Sequence, residues 1–249
     1  MSEICIITGG SGYVGQHLIN NLLKENRYKK IINVDKVLPQ STNSKIVQTM
    51  VHDLRKPLNK KQFNSFKICE HTPIYNLAAI CRIPGFPMKD YFEVNILGAR
   101  NTCKLAEDLG IKNIVFTSSV SPYGASEELK TEETIPMPDN PYGSSKMAAE
   151  YIHRGWQEKS EDRILSILRP GIIFGKNECA NFTRLYKSIK GGYFFFPGRK
   201  DTKKACVYVK DVARACYYFA QKGPGLHLYN LVYQQPPTIQ EICEAIKSK

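Results

Sequence analysis

A glycine-rich run near the start of the chain constrains the fold more than any other feature. It follows an apolar stretch at residues 4–7, opens an amphipathic stretch, and reads Thr8-Gly9-Gly10-Ser11-Gly12-Tyr13-Val14-Gly15. Where a strand leads through such a turn into a helix, the glycines let the backbone approach a pyrophosphate, and the free N–H groups and the helix dipole attract its charge. The run therefore predicts a dinucleotide site.

Asp35 strengthens this prediction, because a lone glycine motif is weak evidence. It ends the next apolar run, residues 31–34, and lies twenty residues beyond Gly15. A carboxylate at that spacing accepts hydrogen bonds from the adenosine ribose and repels a 2′-phosphate, so the pattern favours NAD over NADP. Lys36 follows directly and leaves NADP open as the alternative.

Apolar runs of strand length alternate with helix-like stretches along most of the chain. The predicted strands cover residues 4–8, 31–35, 46–51, 74–78, 113–117 and 164–168, and the clearest helices cover residues 13–24, 90–109 and 142–159. This alternation is typical of an α/β protein with a doubly wound parallel sheet, the Rossmann arrangement. We therefore expect residues 1–170 to form an NAD-binding Rossmann domain that also contains the catalytic residues.

The pattern of predicted strands and helices changes after Gly175. A smaller substrate-binding lobe is expected over residues 171–249, with some segments returning to the main domain. Its predicted elements are helices at residues 181–190, 209–221 and 238–247 and a short aromatic strand at residues 193–196. Packing of that strand against the main domain is the favoured interpretation, and stacking on a nucleobase is the alternative. The lobe is short for its role, so we expect it to be either abbreviated or truncated.

Charge and cysteine content limit the classes of partner. The net charge of +12 indicates attraction to anions, but the lysines are scattered without a run of five like charges, which disfavours a nucleic-acid-binding arm. The eight cysteines lie far apart without a C-x-x-C pair, so we expect no metal site and free thiols in a reducing cytoplasm. Without an apolar span of membrane length, the sequence predicts a cytoplasmic protein with no nucleic-acid or membrane partner.

Tyr142 and Lys146 form the candidate reactive pair, one turn apart on the same face of a predicted helix. An adjacent ammonium favours the phenolate, so Lys146 is expected to lower the pKa of Tyr142 and make it a usable acid and base. The cluster Thr117-Ser118-Ser119 follows the fifth predicted strand, where ligands bind in open α/β sheets. These residues predict oxidation of an alcohol, with the hydroxyl proton passing to Tyr142 and hydride to a nicotinamide.

Taken in order, these motifs resemble those of the extended short-chain dehydrogenase/reductases, the NAD-dependent epimerase/dehydratase family. The resemblance runs from Ile4 to about Leu231 and includes, besides the motifs above, His52-Asp53-Leu54, Asn76-Leu77-Ala78-Ala79, Asn95 with Gly98, Tyr123-Gly124, Arg169-Pro170 and Val207-Tyr208-Val209-x-Asp211-Val212. It implies that Ser119, Tyr142 and Lys146 are catalytic. It also implies that NAD is bound by Gly9, Gly12, Tyr13, Val14, Gly15, Asp35, Asp53, Leu54, Leu77, Ala78, Ala79, Asn95, Thr117, Tyr142, Lys146 and Pro170.

Departures from the family pattern bear on the reaction. In the 4,6-dehydratases of this family an acidic pair follows the position of Ser119, whereas Val120 and Ser121 follow it here, so dehydration is disfavoured. By resemblance to the nucleoside-diphosphate-sugar enzymes, Asn181 and Lys204 would contact the substrate diphosphate alongside Ser119 and Tyr142 at the sugar. Ile172 occupies a position where many of those enzymes have asparagine, so the diphosphate pocket matches only in part.

The favoured interpretation is an NAD-dependent nucleoside-diphosphate-sugar epimerase that oxidises a ring hydroxyl, most simply at C4, and returns the hydride to the other face. A keto-sugar reductase or a hydroxysteroid-type dehydrogenase remains an enzymatic alternative. An NAD-binding scaffold or sensor without turnover is the non-enzymatic one. The resemblance further implies a homodimer formed through the helices at residues 90–109 and 142–159.

Overall fold

The computed structural model describes residues 3–39, 44–82, 85–196 and 198–248. The strands are β1 (Ile4–Thr8), β2 (Lys30–Asp35), β3 (Val47–Val51), β4 (Pro73–Asn76), β5 (Asn113–Thr117), β6 (Ile164–Pro170), β7 (Ile172–Phe174), β8 (Cys206–Tyr208) and β9 (Gly225–Leu231). The α-helices are α1 (Tyr13–Lys24), α2 (Met88–Leu109), α3 (Pro141–Gln157), α4 (Asn181–Lys190), α5 (Val209–Phe219) and α6 (Ile239–Lys247).

Seven strands form one parallel sheet in the order β3-β2-β1-β4-β5-β6-β9. The predicted doubly wound parallel sheet is therefore confirmed. The near-continuous apolar runs of β1 and β5 fit this arrangement, because a parallel sheet covered by helices buries both faces of its strands. Every residue of these two strands is buried.

Two apolar layers hold the helices to the sheet. On one face Ile6 and Ile74 belong to a cluster with Trp156 of α3 and side chains of α2. On the other face Ile7 belongs to a cluster with Leu18 of α1 and side chains of α5. Alternate residues of β1 thus enter opposite layers, and each large apolar side chain buried in this way stabilises the fold by about 1.5–3 kcal/mol.

The chain after β6 contributes to both the main sheet and a smaller lobe. β9 pairs with β6 at the edge of the main sheet, and α5 packs against α1. β7 and β8 form a separate two-stranded parallel sheet, and α4 packs against α6. None of the described helices is both long and apolar enough to cross a membrane.

The aromatic strand predicted at residues 193–196 is wrong. The segment is extended but is not part of a strand, and the side chains of Tyr193 and Phe195 are 68% and 75% exposed. High β propensity reflects how well a side chain fits a half-buried pleated surface, and no neighbouring strand among the described residues supplies that surface. The remaining predicted strands and helices are present with small shifts at their ends.

Candidate active site

The glycine-rich turn and the predicted reactive residues lie at the carboxyl ends of neighbouring strands. β1 and β4 are neighbours in the sheet although β2 and β3 come between them in the chain, so the strand order reverses there. In open α/β sheets a ligand crevice lies at such a point. The turn follows β1, residues 77–79 follow β4, and Ser118 and Ser119 follow β5. The structure thus brings the main groups of predicted site residues to one edge of the sheet.

At two positions of the turn between β1 and α1, neighbouring backbone atoms leave room only for glycine. Gly9 has a φ of 78°, and a Cβ atom there would lie 2.6 Å from the backbone nitrogen of Ala78. A Cβ atom on Gly15 would lie 2.4 Å from the carbonyl oxygen of Gly9. At the helix start, Gly12 is the N-cap residue, and no side chain of the described residues caps α1. The first N–H groups of α1 are therefore free to bind an anion.

Asp35 lies beside this turn, as the spacing predicts. Its carboxylate accepts hydrogen bonds from the backbone N–H groups of Ser11, at 3.0 Å, and Val37, at 3.2 Å. Asn33 was missed by the sequence reasoning. It is fully buried in β2, and its amide nitrogen donates to the hydroxyls of Ser11 and Thr49. A polar side chain inside an otherwise apolar strand was the signal that could have found it.

The residues on either side of the turn are half-buried. Val14 and Leu77 pack against the apolar layer formed with α1 and α5, and Ala78 packs against the opposite layer. The Tyr13 hydroxyl has no hydrogen-bond partner among the described residues, and burial raises its pKa. A Cβ atom on Gly175 would lie 3.2 Å from that hydroxyl, so the start of the smaller lobe approaches the turn at Tyr13.

Asp53 and Leu54 follow β3 and have different surroundings. The Arg55 guanidinium lies 2.5 Å from the Asp53 carboxylate and, chiefly through this hydrogen bond, lowers the pKa of Asp53 to about 2. Leu54 is buried, and its carbonyl oxygen accepts a hydrogen bond from Asn101 of α2. These contacts hold the segment against α2, and the Asp53 carboxylate remains partly exposed.

Asn95 and Pro170 support backbone segments at the same edge of the sheet. The Asn95 amide exchanges hydrogen bonds with the backbone of Ile80 and donates to the hydroxyl of Ser145, at 2.8 Å. Ala79, half-buried, is thereby held next to α3. The carbonyl oxygen of Pro170 accepts a hydrogen bond from the backbone of Val120.

Tyr142 and Lys146 lie in the first turns of α3, which begins at Pro141. The side chain of Asn140 caps the helix by accepting a hydrogen bond from the backbone of Gly143, and proline suits the first helical position because its missing N–H would have no partner there. The Lys146 ammonium donates to the carbonyl oxygen of Thr117 at 2.8 Å. This bond fixes α3 to the end of β5, next to Ser119.

Burial perturbs the pKa values of both reactive residues. Desolvation raises the pKa of Tyr142, with a hydrogen-bonding contribution from Ser119 in the opposite direction. Desolvation also lowers the pKa of Lys146 to about 8. The expectation that Lys146 lowers the pKa of Tyr142 is therefore wrong for this structure, because burial dominates and the ammonium is directed to Thr117. Perturbed values of this kind are typical of groups that exchange protons in catalysis.

Two further residues near the reactive pair were missed from the sequence. Cys81 is close enough to Tyr142 and Lys146 to raise the pKa of each. His153, two turns beyond Lys146 on α3, is fully buried and stacks on the Phe116 ring at 4.1 Å between centroids. The Lys146 ammonium lies 4.8 Å from the centroid of the same ring. Only the packing of α3 on the sheet brings these groups together, so no sequence motif marked them.

Asn181 and Lys204 lie in the smaller lobe. Asn181 is exposed at the start of α4, and its side chain accepts a hydrogen bond from Arg184. Lys204 is half-buried, and its backbone N–H donates to the carbonyl oxygen of Pro237. Among the described residues, no hydrogen bond links either one to Ser119, Tyr142 or Lys146. Nor does any group of three or more metal-ligating side chains gather in the described part of the chain.

Comparisons with known proteins find relatives over most of the chain. The model of the family described as "NAD dependent epimerase/dehydratase family" matches residues 5–231. The N-acetyl-alpha-D-glucosaminyl-diphospho-ditrans,octacis-undecaprenol 4-epimerase of Escherichia coli O157:H7 is 32% identical over 93% of this chain and 68% of its own length. The UDP-glucose 4-epimerase of Streptococcus mutans is 28% identical over 62% of this chain and 47% of its own length. The chain thus aligns with between about half and two thirds of these relatives.

A solved structure shares the fold over nearly the whole chain. The UDP-glucose 4-epimerase of Thermus thermophilus, solved in complex with NAD, superposes with a TM-score of 0.80 at 23% identity. The match covers 98% of this chain and 82% of that one. At this level of identity the likeness shows the arrangement of strands and helices.

Proposed function

Because this chain belongs to the NAD dependent epimerase/dehydratase family, we propose that it is an NAD-dependent epimerase that inverts a hydroxyl-bearing carbon, C4, of a nucleoside-diphosphate sugar. The observation that carries the proposal is the position of Tyr142, Lys146 and Ser119. Tyr142 and Lys146 lie in the first turns of α3, which the Lys146 ammonium joins to the end of β5, and Ser119 follows β5 at the same edge of the sheet as the turn suited to a dinucleotide. A protein that only bound NAD would have no need of this reactive set.

The crevice fits NAD in its steric and electrostatic features. The turn excludes any Cβ atom at Gly9 and Gly15, which keeps its backbone open to a pyrophosphate, and the uncapped start of α1 attracts the negative charge. Asp35 would accept the ribose hydroxyls. The remaining contacts are proposed for Gly12, Tyr13, Val14, Asp53, Leu54, Leu77, Ala78, Ala79, Asn95, Thr117, Tyr142, Lys146 and Pro170. NAD, when bound, supplies a reversible hydride acceptor.

The side chains on α3 and after β5 would move the proton. Tyr142 would take the proton of the sugar hydroxyl while hydride leaves the same carbon, and would return it after the keto-sugar has presented its other face. Ser119 would hold the sugar oxygen by a hydrogen bond. Burial favours the neutral phenol, and the Lys146 ammonium bonds Thr117 in this structure, so Lys146 would stabilise an ionised Tyr142 only after turning toward it in the loaded enzyme.

The smaller lobe would bind the rest of the substrate. Residues 171–249 are proposed as mainly a substrate-binding lobe, with β9 and α5 as the segments that return to the main domain. Asn181 and Lys204 would contact the diphosphate, Lys204 as a point charge without the forked geometry of arginine. Support for these two assignments comes from the family resemblance, whereas the approach of Gly175 to Tyr13 concerns only the start of the lobe.

A sugar diphosphate on a polyprenol is a second candidate substrate. The Escherichia coli relative is named for such a carrier, and it is similar over 93% of this chain. The sugar and diphosphate are common to both candidates, so the same residues would perform the same reaction. We further propose a cytoplasmic homodimer formed through α2 and α3. A mass measurement in solution tests whether the chain is a dimer.

The test is conversion of UDP-glucose and UDP-N-acetylglucosamine, and of the polyprenyl-diphosphate forms, in the presence of NAD. We expect formation of the 4-epimer without net NADH. Tyr142→Phe should abolish conversion, and Tyr151→Phe is the matched control because Tyr151 is an exposed tyrosine on the same helix. Steady NADH accumulation would instead identify a dehydrogenase, and NAD binding without conversion of any sugar would identify a binding protein.

A further inference from the structure

The start of α3 rests on the turn that follows β5. Residues 119–124 form this turn, here called the Ser119 turn, which contains a short 3-10 helix, Ser121–Tyr123. Ser119 belongs to the turn and Tyr142 belongs to α3, and residues 125–139 separate the two segments in the chain. The distance between the two proposed reactive hydroxyls therefore depends on how the turn is joined to the helix.

The Ser119 hydroxyl is oriented by its own turn. Its oxygen accepts a hydrogen bond from the backbone N–H of Ser121 at 3.1 Å, which leaves its hydrogen for another acceptor. Burial raises the pKa of Tyr142, and hydrogen bonding from Ser119 acts in the opposite direction. A group that favours the ionised phenol must donate to it, so Ser119 faces Tyr142 as a donor.

The side chain of Asn140 contacts both the helix and the turn. Its oxygen accepts a hydrogen bond from the backbone N–H of Gly143 at 2.9 Å and so caps α3. Its amide nitrogen donates to Oγ of Ser121 at 3.3 Å and to the carboxylate of Asp139 at 2.8 Å. One amide group thus joins the first turn of the Tyr142 helix to the residue that bonds Ser119.

Two further contacts keep this junction close. A Cβ atom on Gly143 would lie 2.6 Å from the carbonyl oxygen of Ser121, so the helix approaches the turn backbone more closely than a larger residue would allow. The Asp139 carboxylate also accepts a hydrogen bond from the backbone N–H of Ala125 at 3.0 Å. Asn140 and its neighbour therefore hold the Ser119 turn both at Ser121 and just beyond its end.

Helix capping alone does not account for these contacts. Serine and asparagine are about equally good N-cap residues, because both accept a hydrogen bond from the first turn of the helix. A serine at position 140 could cap Gly143, but its shorter side chain lacks the amide N–H groups that reach Ser121 and Asp139. The asparagine therefore adds a tether to the cap.

We propose that Asn140 is a positioning residue for the reaction in the crevice, an inference that rests on the proposed function. Asn140 itself would contact neither the sugar nor NAD. Through Ser121 it ties the Ser119 turn to α3, so that the Ser119 and Tyr142 hydroxyls meet the same oxygen of the substrate. Proton transfer needs hydrogen-bond distances, and a displacement of about 1 Å can slow a reaction about a hundredfold.

A double-mutant cycle on turnover tests the tether. Asn140→Ser keeps the cap and removes the amide, Ser121→Ala removes the hydroxyl that accepts from it, and a third variant combines both changes. The substrate is whichever of the UDP-sugars or their polyprenyl-diphosphate forms the unaltered chain converts. We expect each single change to lower kcat by about ten- to a hundredfold, with KM and the Kd for NAD unchanged. The combined variant should lose no more than either single variant, because both changes break the same contact.

Asn59→Ser is the matched control. Asn59 is an exposed N-cap residue of the 3-10 helix Lys60–Phe63, and its side chain accepts a hydrogen bond from the backbone N–H of Lys61 at 3.0 Å. The same substitution is thereby made at a cap whose hydrogen bonds lie within its own turn. This variant should keep the kcat of the unaltered chain.

Hydrogen exchange of single amides, followed by NMR on the full chain, tests the tether without turnover. The backbone N–H groups of Ser121, Tyr123 and Gly124 are hydrogen-bonded within the Ser119 turn. Asn140→Ser should speed their exchange, because the turn is no longer held to α3. The N–H of Gly143 should exchange as before, since serine still caps it.

The outcomes separate this inference from the proposed function. If the unaltered chain epimerises a sugar and Asn140→Ser keeps full kcat, the inference is wrong and the function stands. Additive losses in the combined variant would also overturn it, because the two residues would then act separately. If the unaltered chain converts no sugar, the proposed function fails, and unchanged exchange in the Ser119 turn of Asn140→Ser would reject the tether as well.

Discussion

Replacing the buried imidazole of His153 should remove a large part of the acid sensitivity of this fold. His153 belongs to a chain of hydrogen bonds that joins β1, β4 and α3. The Thr8 hydroxyl donates to the side-chain oxygen of Asn76 at 2.8 Å, and the Asn76 amide nitrogen lies 3.1 Å from Nε2 of His153. Nδ1 of His153 lies 2.7 Å from the carbonyl oxygen of Ala149.

These partners determine the protonation state of the ring. A carbonyl oxygen can only accept, so Nδ1 has the hydrogen, and Nε2 must then accept from the Asn76 amide. The second proton of an imidazolium would face the N–H₂ group of Asn76. Desolvation, with a smaller contribution from the charge of Lys146, lowers the pKa of His153 from 6.5 to about 4, against the opposing effect of the Ala149 hydrogen bond.

The sign and size of the effect follow from linkage. The folded chain holds His153 neutral down to about pH 4, whereas the unfolded chain takes up a proton near pH 6.5. The contribution of His153 to the free energy of unfolding is therefore fully present above pH 6.5 and is lost as the pH falls toward 4. Each unit of pKa difference corresponds to about 1.4 kcal/mol, so the full contribution is about 3 kcal/mol. Between about pH 7.5 and about pH 5 the loss is roughly 2 kcal/mol, or about 4–8 °C in Tm for a chain of this size.

Urea denaturation at a series of pH values, followed by circular dichroism, measures this contribution. His153→Gln retains a donor and an acceptor without a titratable proton, so its free energy of unfolding should fall about 2 kcal/mol less than that of the unaltered chain over this range. His71→Gln is the matched control, because the side chain of His71 is 71% exposed. Equal pH dependence in the His153 variant and the unaltered chain would refute the argument that desolvation holds His153 neutral.

Three further predictions follow from the crevice and its surroundings. Gly9→Ala should abolish NAD binding and lower the free energy of unfolding by at least about 1–2 kcal/mol, because φ is 78° and the Cβ atom would clash with the backbone of Ala78. Gly155→Ala is the control and should slightly raise the free energy of unfolding, because nothing lies within 4 Å of the added Cβ atom. Calorimetric titration measures NAD binding and urea unfolding measures stability for both variants. Glu150→Gln should cost about 3–5 kcal/mol in urea unfolding, since it leaves the buried Arg169 guanidinium without its carboxylate, and an unchanged midpoint would contradict this. Activity that depends on the Lys146 ammonium should decline as the pH rises through about 8, and Lys146→Arg should move the alkaline limb of kcat/KM upward if it remains active.

The sequence was most informative where local chemistry alone determines structure. The turn at Gly9, the start of α3 at Asn140-Pro141 and the apolar runs of the central strands each have one favourable conformation, and these elements were predicted close to their observed positions. The parallel, doubly wound character of the sheet followed from the alternation of strands and helices. The family followed from the order of the motifs.

The errors arose where a partner distant in the chain decides the outcome. The aromatic residues at 193–196 have high β propensity, but a strand also needs a neighbour to pair with, and propensity does not reveal whether one is present. Likewise, the hydrogen bonds of Asn33 and His153 are made to residues on other strands. The pKa of Tyr142 was misjudged because the spacing to Lys146 is visible in the sequence, whereas the depth of burial is not.

The polar contacts of α3 show how the fold fixes this helix in register. Lys146 bonds the end of β5, Glu150 accepts from Ser118 after β5 and from Arg169 of β6, and His153 bonds Asn76 of β4. These three side chains follow the i, i+4, i+7 spacing of one helix face. Apolar packing alone would tolerate a shift of α3 along the sheet, but such a shift would leave several buried polar groups without partners, at about 1–3 kcal/mol each. The buried network therefore sets where Tyr142 lies relative to the glycine turn.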